Sequence, residues 1–529
     1  MSSMTKTYQH FSQVPKVDIP RSSFDRSHGV KTTINAGILY PLYWDDVLPG
    51  DTIKIRDHIF ARLATPIVPL MDNLYLDIHY FFVPKRRLWS NFEKFWGANT
   101  SAWTQQSTFL TPVVTLTNQV TSLSLWDYLG VNPAADYTGV AVTNMAGRAY
   151  NKIFNDWYRD ENVQAEIPGP GGGSAQPPGD GPDNASDYIL RRRNKRKDYF
   201  TSALPQPQKG PAVTLPLGTK APVAHDASVS PQVDLSVWSS VANSYTKLGA
   251  DTTFLKSSGT GSTQAFQLYA DLTNATAATI NSLRMALQLQ VLYERDARGG
   301  TRLVEVIKSH FGVTSPDFRL DRAEYLGGST KSLTTTPIAQ TGSTDSTTPQ
   351  GNLAAFGVVT GSGGYVTQSF TEPGIFMAIA SIRSDLNYQQ GLSRKFTRRT
   401  RFEEYWPALA NIGEQAILTK EIYCQGSASA ATNETVLGYI PRYDEYRYNP
   451  NEVTGLMRSN VPGSLDVWHL AQDFNAAPTL NEAFMQENPP VDRVIAVSTE
   501  PHFILDGHFE ERWERPMPTF AVPGLGSRF

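Results

Sequence analysis

The chain has 529 residues, with 47 Lys and Arg against 50 Asp and Glu and a formal charge of −3. That balance excludes a polycation built along its whole length to hold nucleic acid, so any such contact is local or delegated to another protein. Charged residues at 18% and aromatics at 11% exclude a wholly disordered chain, and the single cysteine, Cys424, permits neither an internal disulfide nor a thiolate zinc site.

In chain order, residues 1–30 mix Lys6, Lys16, Arg21 and Arg26 with Asp18 and Asp25 and carry no period, which predicts an extended arm lying along a surface. The first residues hold no apolar secretory core, so no signal peptide is read and a start in the cytoplasm is expected. Residues 31–89 contain three runs rich in β-branched and aromatic residues, TTINAGILYPLYW, TIKIRDHIFARLA and NLYLDIHYFFVPKRRLW, which read as successive strands. Between the first two, Leu48-Pro49-Gly50-Asp51 supplies Pro and Gly where a type II turn requires them.

Helical spacing then interrupts the strands. Met145, Ala149, Ile153 and Trp157 recur every fourth residue, joined by Tyr150, Phe154 and Tyr158, and predict a buried-faced helix over 142–160. Ile280, Leu283, Leu287 and Val291 predict a second over 277–297, stopped by Gly299-Gly300, and a shorter one follows over 303–311, capped by Gly312. Residues 168–182 hold eleven Gly or Pro in fifteen and read as an exposed loop. Tracts 212–261 and 327–364, rich in Ser, Thr and Gly, read as irregular excursions. Strands return in SFTEPGIFMAIASIRSDL, AILTKEIYCQG, ETVLGYIPRY and VDRVIAVSTEPHFIL, with the densest apolar run, 375–382, fitting a buried strand and too short for a membrane span. Strands at both ends with helices and loops between them imply one antiparallel β-sandwich over 31–529, its connections at about 90–365 expanded by insertions.

Signatures of catalysis are missing: there is no GxSxG, GxxxxGK[ST], GxGxxG or HExxH. The carboxylate pairs Glu403-Glu404 and Asp444-Glu445 lie among arginines and tyrosines and read as ion-pair partners. No enzyme, cofactor or metal site is expected. The sharpest local charge is Arg191, Arg192, Arg193, Lys195, Arg196 and Lys197, six basic residues in seven, followed by Tyr199 and Phe200. Such a run attracts phosphate and sets two rings beside it for base stacking; a solvated or intersubunit ion-pair loop is the alternative. A second basic cluster lies at 394–401. The tract 442–448 places Tyr443, Tyr446 and Tyr448 among both charge signs, with Arg447 between them, a composition favoured where protein surfaces meet.

These residues carry a resemblance. Val47-Leu48-Pro49-Gly50-Asp51, HYFFVPKRRLW (79–89), DYFTSALPQPQKGPAV (198–213), ERDARGGTR (294–302), HFGVTSPDFRLDRAEYLGG (310–328), YWPALANIGEQA (405–416), EYRYNP (445–450), DVWHLAQDF (466–474) and RPMPTFAVPGL (515–525) resemble the major capsid proteins of the Microviridae, single-stranded DNA viruses of bacteria, and within them the gokushovirus branch. The resemblance implies an eight-stranded antiparallel viral jelly roll with long helix- and loop-containing insertions, copies of which close a T=1 icosahedral shell through pentameric and three-fold contacts. It implies as partners a single-stranded DNA genome, a small basic DNA-binding virion protein and a bacterial surface receptor, with location in the virion after assembly in the host cytoplasm. An insertion near 215–265 is then expected at a three-fold protrusion for host attachment, with Trp238 and Phe254 packing between copies. The competing class is a secreted carbohydrate-binding or carbohydrate-active β-sandwich, since exposed rings and Gly-rich loops also suit sugars.

Overall fold

Side-chain alternation drives the fold. In Thr52–Leu63 every second residue, Ile53, Ile55, Ile59, Ala61 and Leu63 among them, is buried while its neighbours face outward, the signature of a strand with one wet face. The computed structural model describes residues 20–98, 109–169, 178–211, 213, 280–344 and 350–520, with four short strands between 223 and 270 as backbone.

Nine strands build the main sheet system: β1 Ser22–Asp25, β2 His28–Ile34, β3 Tyr40–Val47, β4 Thr52–Leu63, β5 Leu74–Pro84, β6 Glu324–Ala339, β7 Leu353–Ser369, β8 Gly374–Ser384 and β9 Phe503–Arg515. All their pairings are antiparallel. β1 and β2 share one edge of β9, which pairs β4, which pairs β7; β6 pairs β5, which pairs β8, which pairs β3. Counting β1 and β2 as one interrupted strand, each half holds four strands in the order of a jelly roll. The halves meet where β6, after leaving β5 at Ser332, pairs through Leu333–Ala339 with Leu353–Val359 of β7.

Between the halves lies an apolar core of Ile53, Ile59, Leu76, Ile78, Phe376, Ile382, Phe503, Leu505, Phe509 and Trp513. Each such side chain removed from water contributes about 1.5–3 kcal/mol. The opposite faces of β5 and β8 are also covered: Phe81, Val83, Ile375, Met377 and Ile379 pack against helix α1, Met145–Ile153, through Met145, Ala149, Tyr150 and Ile153. Buried on both sides, β8 cannot alternate, and all eleven of its residues are buried, as the continuous apolar run anticipates. α1 continues through Phe154–Tyr158 in a wider π-type turn. A third cluster, with Tyr199, Phe200, Tyr388, Ile417, Ile440 and Phe484, binds the connection between β8 and β9 to the segment after the basic run.

The turn at 48–51 forms as read: the Asp51 N–H donates to Leu48 O at 3.0 Å, and Gly50 takes φ 92°. Helix α2, Ile280–Arg298, and helix α3, Leu303–Phe311 with Gly312 at φ 70°, also form where their stripes lie. The chain divides into two compact units, 1–207 with 299–529, and 208–298. The second contains α2 and two short antiparallel ladders, 223–225 with 268–270 and 236–239 with 244–247. Most of the 215–265 tract, the whole of Phe254 and the Trp238 side chain lie outside the described residues.

Three expectations are corrected. The tract 327–364 is largely strand: 327–339 falls in β6 and 353–364 in β7, whose Thr, Gly and Ala offer little apolar alternation, so pairing to β5 and β4 decides the conformation. Space is tight there: a Cβ on Gly357 would stand 3.1 Å from that of Leu63. The run 491–505 is a 3-10 turn at Val491–Arg493 and a strand that starts only at Phe503 and extends to Arg515, through charged residues that face outward. The run after Glu414 is a five-residue strand followed at once by a helical turn, Thr419–Ile422. The described part of the arm runs extended along the sheet, β1 and the start of β2 pairing with β9.

Candidate nucleic-acid and assembly surfaces

The basic run 191–197 lies largely inside the subunit. Arg193 donates from Nη1 to Asp77 Oδ2 at 2.8 Å and to Ser381 Oγ at 2.9 Å. Arg383 reaches the same carboxylate oxygen from Nε at 2.8 Å, and Thr330 Oγ1 donates to the other oxygen at 2.7 Å. Burial alone would raise the Asp77 pKa, but the Thr330 hydroxyl and the two guanidinium groups hold it below the usual carboxylate value. Glu487 completes the cluster, accepting from Ser384 N at 2.8 Å and facing Arg193 Nε at 3.9 Å. Its burial dominates and pushes its pKa up to about 7.

Lys195 is buried as well. Its Nζ donates to Phe484 O at 2.7 Å and stands 4.5 Å from the Phe484 ring centroid, and burial pulls its pKa down to about 8. Arg192 is spent on Glu487 O and Asn488 Oδ1, and Arg191 on Asp187 O. Lys197 pairs with Asp160 and donates to Thr201 O at 3.1 Å, its side chain still 55% exposed. Arg196 is exposed. Tyr199 and Phe200 are core: the Tyr199 hydroxyl donates to the buried Glu421 at 2.9 Å, and the Phe200 ring packs 4.8 Å from that of Tyr388. The run therefore straps three parts of the chain together, and Arg196 with Lys197 is what it offers to solvent.

The second basic cluster and the tyrosine tract, some fifty residues apart in sequence, form one surface. Tyr443 is buried and adopts φ 65°, turning its ring against Tyr405 at 5.2 Å and its hydroxyl toward Phe402 O at 3.3 Å. Arg398 lies over the Tyr446 ring at 4.2 Å, Arg442 donates from Nη2 to Phe402 O at 2.7 Å, and Arg401 lies over Trp406 at 4.6 Å. Arg447 pairs with Asp444 at 2.6 Å. Phe396, Phe402, Tyr405, Trp406, Tyr446 and Tyr448 are between 41% and 78% exposed, rings that a solitary subunit leaves wet. A cleft of about 240 Å³ opens beside Phe396 and Tyr448, lined also by Arg394, Lys395 and Arg458.

Sequence reasoning missed the buried charge that holds the long connection after β5. Arg148, on the apolar face of α1, makes two parallel bonds to Asp183, 2.8 Å from Nε and 2.6 Å from Nη2, and donates from Nη1 to Leu88 O and Gly179 O, both at 2.9 Å. Asp183 also accepts from Asn144 and Tyr188. An arginine three residues after Met145 and one before Ala149, within an apolar stripe, was the signal. Among the described residues no group of three or more His, Cys, Asp or Glu could hold a metal ion, and no helix is long and apolar enough to cross a membrane.

Comparison with known proteins gives the family. Residues 12–525 match the family described as "Capsid protein (F protein)". The chain is 43% identical to "Capsid protein VP1" of Bdellovibrio phage phiMH2K, over 98% of each chain, and 40% identical to "Capsid protein VP1" of Chlamydia phage 1, over 97% of each. It is 35% identical to "Capsid protein VP1" of Spiroplasma virus 4, over 99% of each. Similarity over nearly the full length decides between a capsid subunit and a carbohydrate-active sandwich. The chain belongs to the capsid-protein family of the microviruses, whose role is structural rather than enzymatic and whose place is the virion.

Proposed function

We propose that copies of this chain close a T=1 icosahedral shell around a single-stranded DNA genome, assembling in the host cytoplasm, and that the tract near 215–265 is presented outward for attachment to a bacterial surface receptor. The observation that carries the assembly reading is the aromatic and arginine surface of 394–412 and 442–448. Its exposed rings and guanidinium groups have the composition of an interface core, and its order is set from within by Tyr443 and Arg398. A closed shell needs several different complementary surfaces on one chain, which suits the long connections between strands. The near-neutral charge supports a separate small basic protein to neutralise the genome, with Arg196 and Lys197 as local contacts.

Sedimentation and electron microscopy of purified protein test this. Wild-type protein is expected to form closed particles, and Phe402→Ser with Tyr446→Ser to give a folded subunit of unchanged melting temperature that does not close. Normal shells from the double variant would remove this surface from the interface, and a wild-type protein that never associates would remove the shell.

A further inference from the structure

The two halves of the sandwich differ on their outer faces. That of β5 and β8 lies under the second apolar core, whereas the outward positions of β2, β9, β4 and β7 are exposed or half-exposed. Register sets their side chains in rows across four strands: His508 stands directly beside His58, and the next row holds Phe60 between Asp506 and Thr360. Phe60, in mid-strand at the centre of this sheet, is 52% exposed, and Tyr365, thrown outward by the irregularity between Gly363 and Val366, is 71% exposed. Tyr365 borders a groove of about 530 Å³ that Lys54, Arg56 and Arg512 line together with Asp25, Glu510 and Glu511.

Charge on this face leaves an excess of cations. Lys31, Lys54, Arg56, Arg62 and Arg512 outnumber Asp25, Asp506, Glu510 and Glu514 by one: Lys31 holds Asp506 at 2.6 Å and Lys54 holds Glu514 at 3.5 Å, while Glu510 stands 3.4 Å from His58 and opposite Arg56 in register. Arg56 donates instead to Ser362 Oγ at 3.2 Å, and neither Arg56 nor Arg62 forms an ion pair among the described residues. Exposed guanidinium groups along a strand that also carries an exposed ring fit a phosphate backbone whose bases are unpaired and free to stack.

We infer that the bare face of the β2–β9–β4–β7 sheet binds single-stranded nucleic acid, with Phe60 and Tyr365 stacking on bases and Arg56 and Arg62 holding phosphates. Its physiological meaning rests on the capsid reading above, since a capsid subunit must meet its genome somewhere and the run 191–197 is mostly committed to internal bonds. The sign of the charge disfavours a basic protein as the occupant.

Fluorescence anisotropy of full-length protein with a labelled oligothymidylate, and with a duplex of the same length, tests it. Phe60→Ala is expected to weaken oligothymidylate binding about tenfold, the loss of one stacked base. Arg56→Gln with Arg62→Gln is expected to reduce the slope of log affinity against log salt by about 1.4, from two lost phosphates at about 0.7 each. The duplex should bind more weakly throughout, and Arg319→Gln, an exposed arginine off this face, should change nothing. Unchanged affinity and slope in both variants overturn the inference. So do variants that hold the oligonucleotide as tightly as wild type but no longer close shells, which would make the face a contact between copies and leave the capsid reading standing. Binding that follows expectation in a protein that closes no shell sinks the capsid reading alone.

Discussion

Removing the Arg148 guanidinium tests how the long connection after β5 is held. The pair with Asp183 has side-chain exposures of 1% and 0%, so Arg148→Met leaves a buried carboxylate without its cation and withdraws two donors from the Leu88 and Gly179 carbonyls. Breaking a buried ion pair from one side costs about 3–5 kcal/mol, and Asn144 and Tyr188, still donating to Asp183, keep the loss toward the lower end of that range. At an unfolding entropy of about 2.1 cal/mol/K per residue over a unit of roughly 440 residues, a loss of about 3 kcal/mol lowers the melting temperature by about 3 °C. Arg148→Met with Asp183→Leu removes both charges and should recover much of the loss. Urea titration of unassembled subunits, followed by tryptophan fluorescence, measures each variant. A single variant within about 1 kcal/mol of wild type, or a double variant no better than the single, would show that the pair does not organise this region.

Two buried glutamates set a pH dependence. Burial first, against weaker opposition from neighbouring donors and cations, raises Glu487 and Glu511 to about 7 in the folded subunit from an ordinary 4.5. The folded state therefore binds protons more tightly than the unfolded one, so this stability is complete below about pH 4.5 and is lost as pH rises through 7. The melting temperature of unassembled subunits should fall between about pH 4.5 and pH 7.5 and level off above that, and Glu487→Gln with Glu511→Gln should flatten that fall. An identical pH profile in the double variant refutes the assignment. At the turn before β4, Gly50→Val places a β-branched residue at φ 92° and should cost about 1–2 kcal/mol by the same titration; a neutral effect would mean that the turn relaxes to another type.

Legibility in the sequence followed the periodicities. The type II turn, strand β8 and the stripes of α1 and α2 were readable because a local rule, a proline–glycine pair, an unbroken apolar run or a recurrence at four residues, fixes each of them. β6 and β7 were not, since half their residues face water or the partner strand and their conformation comes from β5 and β4, which lie far away in sequence. β9 hid for a related reason. Its inward positions include Gly507 and Glu511, which broke the apolar alternation even though Phe503, Leu505, Phe509 and Trp513 kept the register.

The basic run shows the limit of local charge as a guide. Its alternating members Arg193 and Lys195 turn inward, and what neutralises Arg193 is Asp77, 116 residues upstream. No window of the sequence contains both. The tyrosine tract was half legible as surface: Tyr446 and Tyr448 are exposed, whereas Tyr443 is the buried post on which they stand.

Strand β9 has a temporal consequence. It is the last strand of the sheet system, yet it lies in the interior of its sheet, with β2 on one side and β4 on the other. The first strands leave the ribosome with a gap that only residues 503–515 can fill, and at about 5–20 residues per second the filler emerges roughly half a minute to a minute and a half later. Until then β2 and β4 have unpaired edges, and a chain that stops short never closes them. Translation thus ends with its own inspection: a truncated product lacks Phe503, Phe509 and Trp513 from the core and cannot present the sheet face that they support, so incomplete copies are barred from a shell by the order in which the strands are made.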